Sequence, residues 1–125
     1  MYYLKNSNLT PPPKKMNVMR IKPLSVNECF KGQRFRTDAY KSFERELLFT
    51  LPILKLPEKP WRITYVFGFS NMRADVDNPV KPTTDILSKK YGFNDADVHG
   101  ITASKIKTEK GSEFISFSIE TFNQS

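Results

Sequence analysis

Trp61-Arg62-Ile63-Thr64-Tyr65-Val66-Phe67-Gly68-Phe69 is the stretch whose reading decides the fold. Trp61, Ile63, Tyr65, Phe67 and Phe69 fall on one side of an extended chain, with Arg62 and Thr64 on the other. Alternation with a period of two is the signature of a β-strand with one buried face. Everything on either side of it is organised by what such a strand must pack against.

Downstream, Ser70-Asn71 reads as a loop. Asn78 suits an N-cap and Pro79 the first position of a helix; Pro82 still fits in the first turn. Val80, Thr84, Leu87 and Tyr91 mark the buried side of that helix, Lys89 and Lys90 suit its last turn, and Gly92 stops it. Residues 98–107 and 114–122 read as two further strands joined by a turn at Glu109-Lys110-Gly111-Ser112, and Ile115, Phe117 and Ile119 alternate with Ser116 and Ser118.

Upstream, Pro52 and Pro57 close a helix that Thr37 or Asp38 caps, with Tyr40, Phe43, Leu47 and Leu51 along its apolar face. Before it, residues 25–36 form a basic loop, and residues 16–21 a first strand. Residues 1–16 read as a flexible polar leader with an extended Pro11-Pro12-Pro13 run, leaving 17–125 as the folded domain. The element order is β-α-β-α-β-β. The expected fold is α/β: a single small domain with a mixed β-sheet and two main helices.

The 125 residues carry 20 Lys plus Arg against 13 Asp plus Glu, a net charge of +7. Ten Phe, five Tyr and one Trp supply a core. No stretch approaches the ~20 apolar residues of a membrane span, and the N-terminus has no apolar signal region. Cys29 is the lone cysteine, which excludes an intrachain disulfide and fits a reducing, cytoplasmic setting.

The charge is unevenly spread. Five of the six aspartates lie between Asp75 and Asp97, where three lysines leave a net −2 and put +9 on the rest of the chain. A basic body attracts phosphates. An acidic pocket within it repels them unless cations fill it.

Asp75 and Asp77 are two residues apart, so in extended chain they project to the same side. Like charges ~4 Å apart cost on the order of 4 kcal/mol at an effective dielectric of 20. A divalent cation removes that cost, and magnesium takes one or two carboxylates together with water and phosphate oxygens. Lys81 and Asp85 follow Asp77 at four-residue steps. That row is either a surface ion-pair ladder or a lysine directed at a metal-bound phosphate. Asp95 or Asp97, in the loop after Gly92, completes the site if the next strand returns beside residues 61–69.

The run Asp75-Val76-Asp77-Asn78-Pro79-Val80-Lys81-Pro82, then Asp85-Ile86-Leu87, then Asp95-Ala96-Asp97-Val98, resembles the core motif of the RusA family of Holliday-junction resolvases. That pattern is roughly D-x-D-N-x-x-K-x-x-x-D-x-L followed, after a short spacer, by D-D-x-x-V. Pro23-Leu24-Ser25-Val26-Asn27 and the basic stretch through Tyr40 are similar to the family's N-terminal part, so the resemblance covers about residues 18–122. It implies an endodeoxyribonuclease using Mg²⁺, with Mn²⁺ as a substitute, that acts as a homodimer on four-way junctions and other branched DNA and makes paired symmetric nicks. By position, Asp75, Asp77 and Asp95 are the implied metal ligands and catalytic carboxylates, Lys81 the catalytic lysine, and Asn78 and Asp85 supporting residues. Where the family has two adjacent acids this chain has Asn94-Asp95. Asp95 is assigned by its distance to Val98, with Asp97 as the fallback.

Lys31, Arg34, Arg36 and Arg73 are the expected DNA-phosphate contacts, fixing position rather than reading sequence. Phe30 and Phe35 are expected to tuck into the core, with wedging into a branch point as the other reading. His99 is expected at the surface or satisfied by packing, and Trp61 and Cys29 in the core. Two other functions compete: a non-catalytic accessory protein that binds branched DNA, for which the basic body suffices, and a small-molecule phosphohydrolase of the haloacid-dehalogenase type, which also uses D-x-D. Against the latter, Asn71-Met72-Arg73-Ala74 separates the strand from the acids.

Overall fold

A computed structural model describes residues 2–5, 15–31 and 35–123. In chain order the elements are β1 (Tyr2–Lys5), β2 (Asn17–Met19), β3 (Phe30–Lys31), β4 (Phe35–Arg36), α1 (Asp38–Thr50), β5 (Trp61–Phe69), α2 (Val80–Tyr91), β6 (Val98–Lys107) and β7 (Phe114–Thr121). The main sheet has the order β1-β6-β5-β7-β2, and β3 pairs with β4 in a separate two-stranded ribbon. β6 runs parallel to both β1 and β5, while β7 is antiparallel to β5 and β2. The sheet is therefore mixed and the class α/β.

β5 occupies the centre because both of its edges can be paired and one of its faces is wholly apolar. Ile63, Tyr65 and Phe67 have no exposed surface. Their face meets α2, where the Tyr65 and Thr84 hydroxyls hydrogen-bond at 2.7 Å. Burial, opposed by that hydrogen bond, pushes the Tyr65 phenol well above its ordinary pKa. Trp61 packs edge-on against Phe93 at 5.4 Å and donates its indole N–H to the Pro57 carbonyl. Tyr40, Phe43, Leu47 and Leu51 of the α1 segment are buried, as their spacing predicts.

The helices begin and end for visible reasons. The Thr37 side chain caps α1 by accepting from the Tyr40 N–H. Gly92 ends α2 in the left-handed region at φ 70°, a conformation that costs a side-chain-bearing residue. The expected Asn78 cap is not formed: Pro79 takes the cap position and makes no side-chain cap bond. Asn78 is drawn into the preceding turn, where its N–H donates to the Asp75 carbonyl, and its own carbonyl accepts from Val26 at 2.9 Å.

Three further expectations are corrected. Residues 1–16 are not wholly a leader, because Tyr2–Lys5 pairs with β6 from Gly100 to Ala103; hydrogen bonding to an open parallel edge overrides a polar composition. Residues 6–14, with Pro11-Pro12-Pro13, lie outside the described residues. Part of the basic loop at 25–36 is the β3–β4 ribbon. Ser116 and Ser118 are buried, so β7 is covered on both faces near its middle; Ser116 donates to the Val66 carbonyl at 3.0 Å.

Candidate active site and basic ribbon

The two acidic triplets flank α2. Asp75-Val76-Asp77 lies in the turns that lead from β5 into the helix, and Asp95–Asp97 forms a 3-10 turn between the helix and β6. β5 ends on the side where the first triplet begins. β6 starts beside the opposite end of β5, since Val98 is in register with Trp61. The twelve residues of α2, about 18 Å of helix, stand between them.

The first triplet is anchored from three directions. The Val76 side chain is buried. The Lys105 ammonium, on β6, donates to the carbonyls of Met72 at 2.9 Å and Ala74 at 2.7 Å. Val26 holds the Asn78 carbonyl, as above. Asp75 and Asp77 remain exposed at the surface. Lys105 braces this turn, a contact that sequence reasoning missed; its signal is a cation in the last half of a strand parallel to β5, meaningful once the β5–β6 register is known.

The second triplet is split. Asp97 turns to Lys59, at 3.6 Å. Asp95 lines an open depression with Asp85, Ser88, Gly92, Phe93 and Asn94. The Asn94 side chain accepts from the Ala96 N–H at 2.9 Å and so shapes the turn that presents Asp95. The position where the family pattern has an acid thus serves here as a cap.

Lys81 lies on the first turn of α2 and reaches Asp85 at 2.9 Å, the i,i+4 pair expected from the spacing. That hydrogen bond is the main reason its ammonium holds its proton above the ordinary lysine range; burial opposes it, and the charges of Asp85 and then Asp95 add to it against Arg36. Lys81, Asp85, Asp95 and Arg36 therefore share one electrostatic neighbourhood. Asp77 precedes the helix rather than continuing its face.

The structure brings Asp85 and Asp95 to one depression, with Lys81 bonded to Asp85. It does not bring Asp75, Asp77 and Asp95 into one cage: among the described residues, no three acid, histidine or cysteine side chains stand as a group that could hold a metal ion.

Among the expected phosphate contacts, Arg36 and Arg73 are exposed. Arg34 and the side chain of Lys31 lie outside the described residues. Phe30 and Phe35 are not tucked into the core but stay 46% and 74% exposed, because β3–β4 stands apart from the main sheet. The Arg36 guanidinium lies 5.3 Å from the Phe30 ring centre and 4.1 Å from that of Tyr40. His99 is exposed, 6.0 Å from the Phe122 ring, and Trp61 and Cys29 are buried, as expected. Among the described residues no helix is long and apolar enough to cross a membrane. No model of a known protein family matches the chain, and no curated protein matches it.

Proposed function

We propose that the protein is a metal-dependent, structure-selective endodeoxyribonuclease of the RusA type that resolves Holliday junctions by hydrolysing phosphodiester bonds in paired symmetric nicks, acting as a homodimer in the cytoplasm. The observation that carries this reading is the constellation Asp75, Asp77, Asn78, Lys81, Asp85 and Asp95, which occupies one helix and its two flanks in a chain of net charge +7. The shared neighbourhood of Lys81, Asp85 and Asp95 supports it.

The donor chemistry fits a hard divalent cation. Asp75, Asp77 and Asp95 are exposed carboxylates, and Mg²⁺ keeps waters and substrate oxygens in its shell rather than requiring a closed protein cage. Asp75 and Asp77, two residues apart in one turn, would hold it, with Mn²⁺ able to replace Mg²⁺, while Asp95 would act from the depression it shares with Asp85. Such an ion neutralises phosphoryl charge and lowers the pKa of water. Lys81, protonated throughout the neutral range, stabilises negative charge on the non-bridging phosphate oxygens. Asp85 orients the Lys81 ammonium, and Arg36 and Arg73 hold the flanking backbone.

The test is incubation of the purified protein with a labelled immobile four-way junction, with and without Mg²⁺, followed by mapping of the nicks. Paired, Mg²⁺-dependent nicks across the branch are expected. A specific observation favours a second reading, the non-catalytic branched-DNA-binding protein: the three carboxylates do not form one group among the described residues. That reading predicts binding without nicks, and Asp75→Asn then leaves binding unchanged or tightens it.

A further inference from the structure

The β3–β4 ribbon carries an aromatic and cationic arrangement that cleavage chemistry does not use. Phe30 pairs with Arg36 and Lys31 with Phe35 across the two strands. Neighbouring residues of a strand face opposite ways. Phe30 and Arg36 therefore share the face toward Tyr40, while Phe35 stands on the other. The Arg36 guanidinium lies within cation–π range of both the Phe30 and Tyr40 rings. Among the described residues no carboxylate pairs with it. Its charge remains available to an anion.

The ribbon is also tied to the acidic turns. The Thr37 N–H donates to the Cys29 carbonyl at 3.0 Å, and the Thr37 hydroxyl to the Glu28 carbonyl at 2.5 Å. The preceding 3-10 turn, Val26–Glu28, reaches the Asn78 carbonyl through Val26. One short path of backbone hydrogen bonds thus fixes the ribbon relative to the segment that bears Asp75 and Asp77.

A ring left 74% exposed forfeits most of the stabilisation its burial would bring. Its chemical complement is the face of a nucleobase, and the Arg36 guanidinium on the ribbon's other face complements a backbone phosphate. Paired bases inside a duplex offer no such face; bases at a branch point do. We propose that Phe35 is a stacking platform for an unstacked base at a DNA branch, with Arg36, on the ribbon's other face, taking a backbone phosphate of the same branch. The proposal deepens the junction reading above and rests on it for the class of substrate.

The experiment measures binding of the full chain in EDTA to an immobile four-way junction with 2-aminopurine at the branch, and to a linear duplex with the same base at its centre. Wild type is expected to quench the junction probe and not the duplex probe. Phe35→Ala is expected to lose the quench and about tenfold in junction affinity while changing duplex affinity by less than about twofold, and Phe35→Trp to restore both. Phe49, 91% exposed at the end of α1, supplies the control: Phe49→Ala should bind as wild type. The proposal is overturned if wild type gives no quench, if Phe35→Ala quenches and binds like wild type, if its loss is equal on duplex and junction, or if Phe49→Ala loses as much. It is overturned as DNA recognition if a single-stranded RNA of the branch sequence is bound more tightly than the junction. Because cleavage is absent in EDTA, the two readings fail separately. A wild type that quenches but never nicks with Mg²⁺ removes the nuclease and leaves the platform; nicking with a fully competent Phe35→Ala does the reverse.

Discussion

The chain contains the pattern Asp-x-Asp twice, and the two copies are held in different ways. In Asp75-Val76-Asp77 the central side chain is buried, both acids are exposed, and the segment is pinned by Lys105 and Val26. In Asp95-Ala96-Asp97 the central residue is exposed, one acid is engaged by Lys59, and only Asp95 faces the depression it shares with Asp85. Equal spacing therefore does not give equal surroundings. Spacing fixes how far apart two carboxylates are along the chain; what lies under the residue between them fixes where they point.

The largest expected effect comes from removing charges on the proposed catalytic side. Asp75→Asn, Asp77→Asn, Asp95→Asn and Lys81→Ala should each lower junction cleavage by on the order of 10²-fold or more, the scale of losing one preorganised electrostatic group. Junction binding in EDTA should survive all four. Asp97→Asn should leave cleavage near wild type, since its partner is Lys59. Cleavage that dies with Asp97→Asn and survives Asp95→Asn would reverse the assignment within the second triplet.

A smaller effect separates the triplets by stability. Val76→Ala empties a buried site and should cost roughly 2 kcal/mol, whereas Ala96→Ser, at an exposed position, should change stability by less than about 0.5 kcal/mol. Urea unfolding of the two variants measures both. Equal costs would mean that the first triplet is no better anchored than the second.

How much of this was legible in the sequence follows from the kind of signal each feature has. β5, α1 and the end of α2 were legible because each is decided locally: strict alternation in Trp61–Phe69, four apolar residues at helical steps, and a glycine where φ is positive. The Lys81–Asp85 pair was legible for the same reason, helix spacing alone. β1 was not, because Tyr2–Lys5 becomes a strand only when β6 offers it an edge. Nor was the exposure of Phe35, which depends on the ribbon leaving the main sheet. Asn78 has the composition of a cap, yet Val26 claims its carbonyl from more than fifty residues away. The meeting of Asp85 and Asp95 was open at the level of spacing, since it depends on how the loop after Gly92 returns.

A third effect, smaller again, concerns the partner that distinguishes Asp97. Its bond to Lys59 is long, at 3.6 Å, and the lysine is well exposed. Solvent screens such pairs strongly, so Lys59→Ala should cost less than about 1 kcal/mol. If the bond directs Asp97 away from the depression, releasing it should also let Asp97 take over in part from Asp95: cleavage by Asp95→Asn should rise when Lys59→Ala is added. No gain in the double variant would show that the turn backbone, not the ion pair, sets the direction of Asp97.

The smallest effect tests whether Lys81 belongs to the second acid pair rather than the first. Its pKa is raised by the hydrogen bond to Asp85, so the pair's contribution to stability is fully present below the unfolded lysine pKa and is lost as pH rises through the folded value. With the Lys81 side chain 63% exposed, that contribution is at most a few tenths of a kcal/mol. The titration itself is the sharper readout. Followed by NMR at the lysine Cε, Asp85→Asn should bring the Lys81 pKa down, Asp95→Asn should lower it by less, and Asp75→Asn should leave it nearly unmoved. A larger drop from Asp75→Asn than from Asp95→Asn would place the Lys81 ammonium beside the first triplet, and the comparison between the two would have to be redrawn.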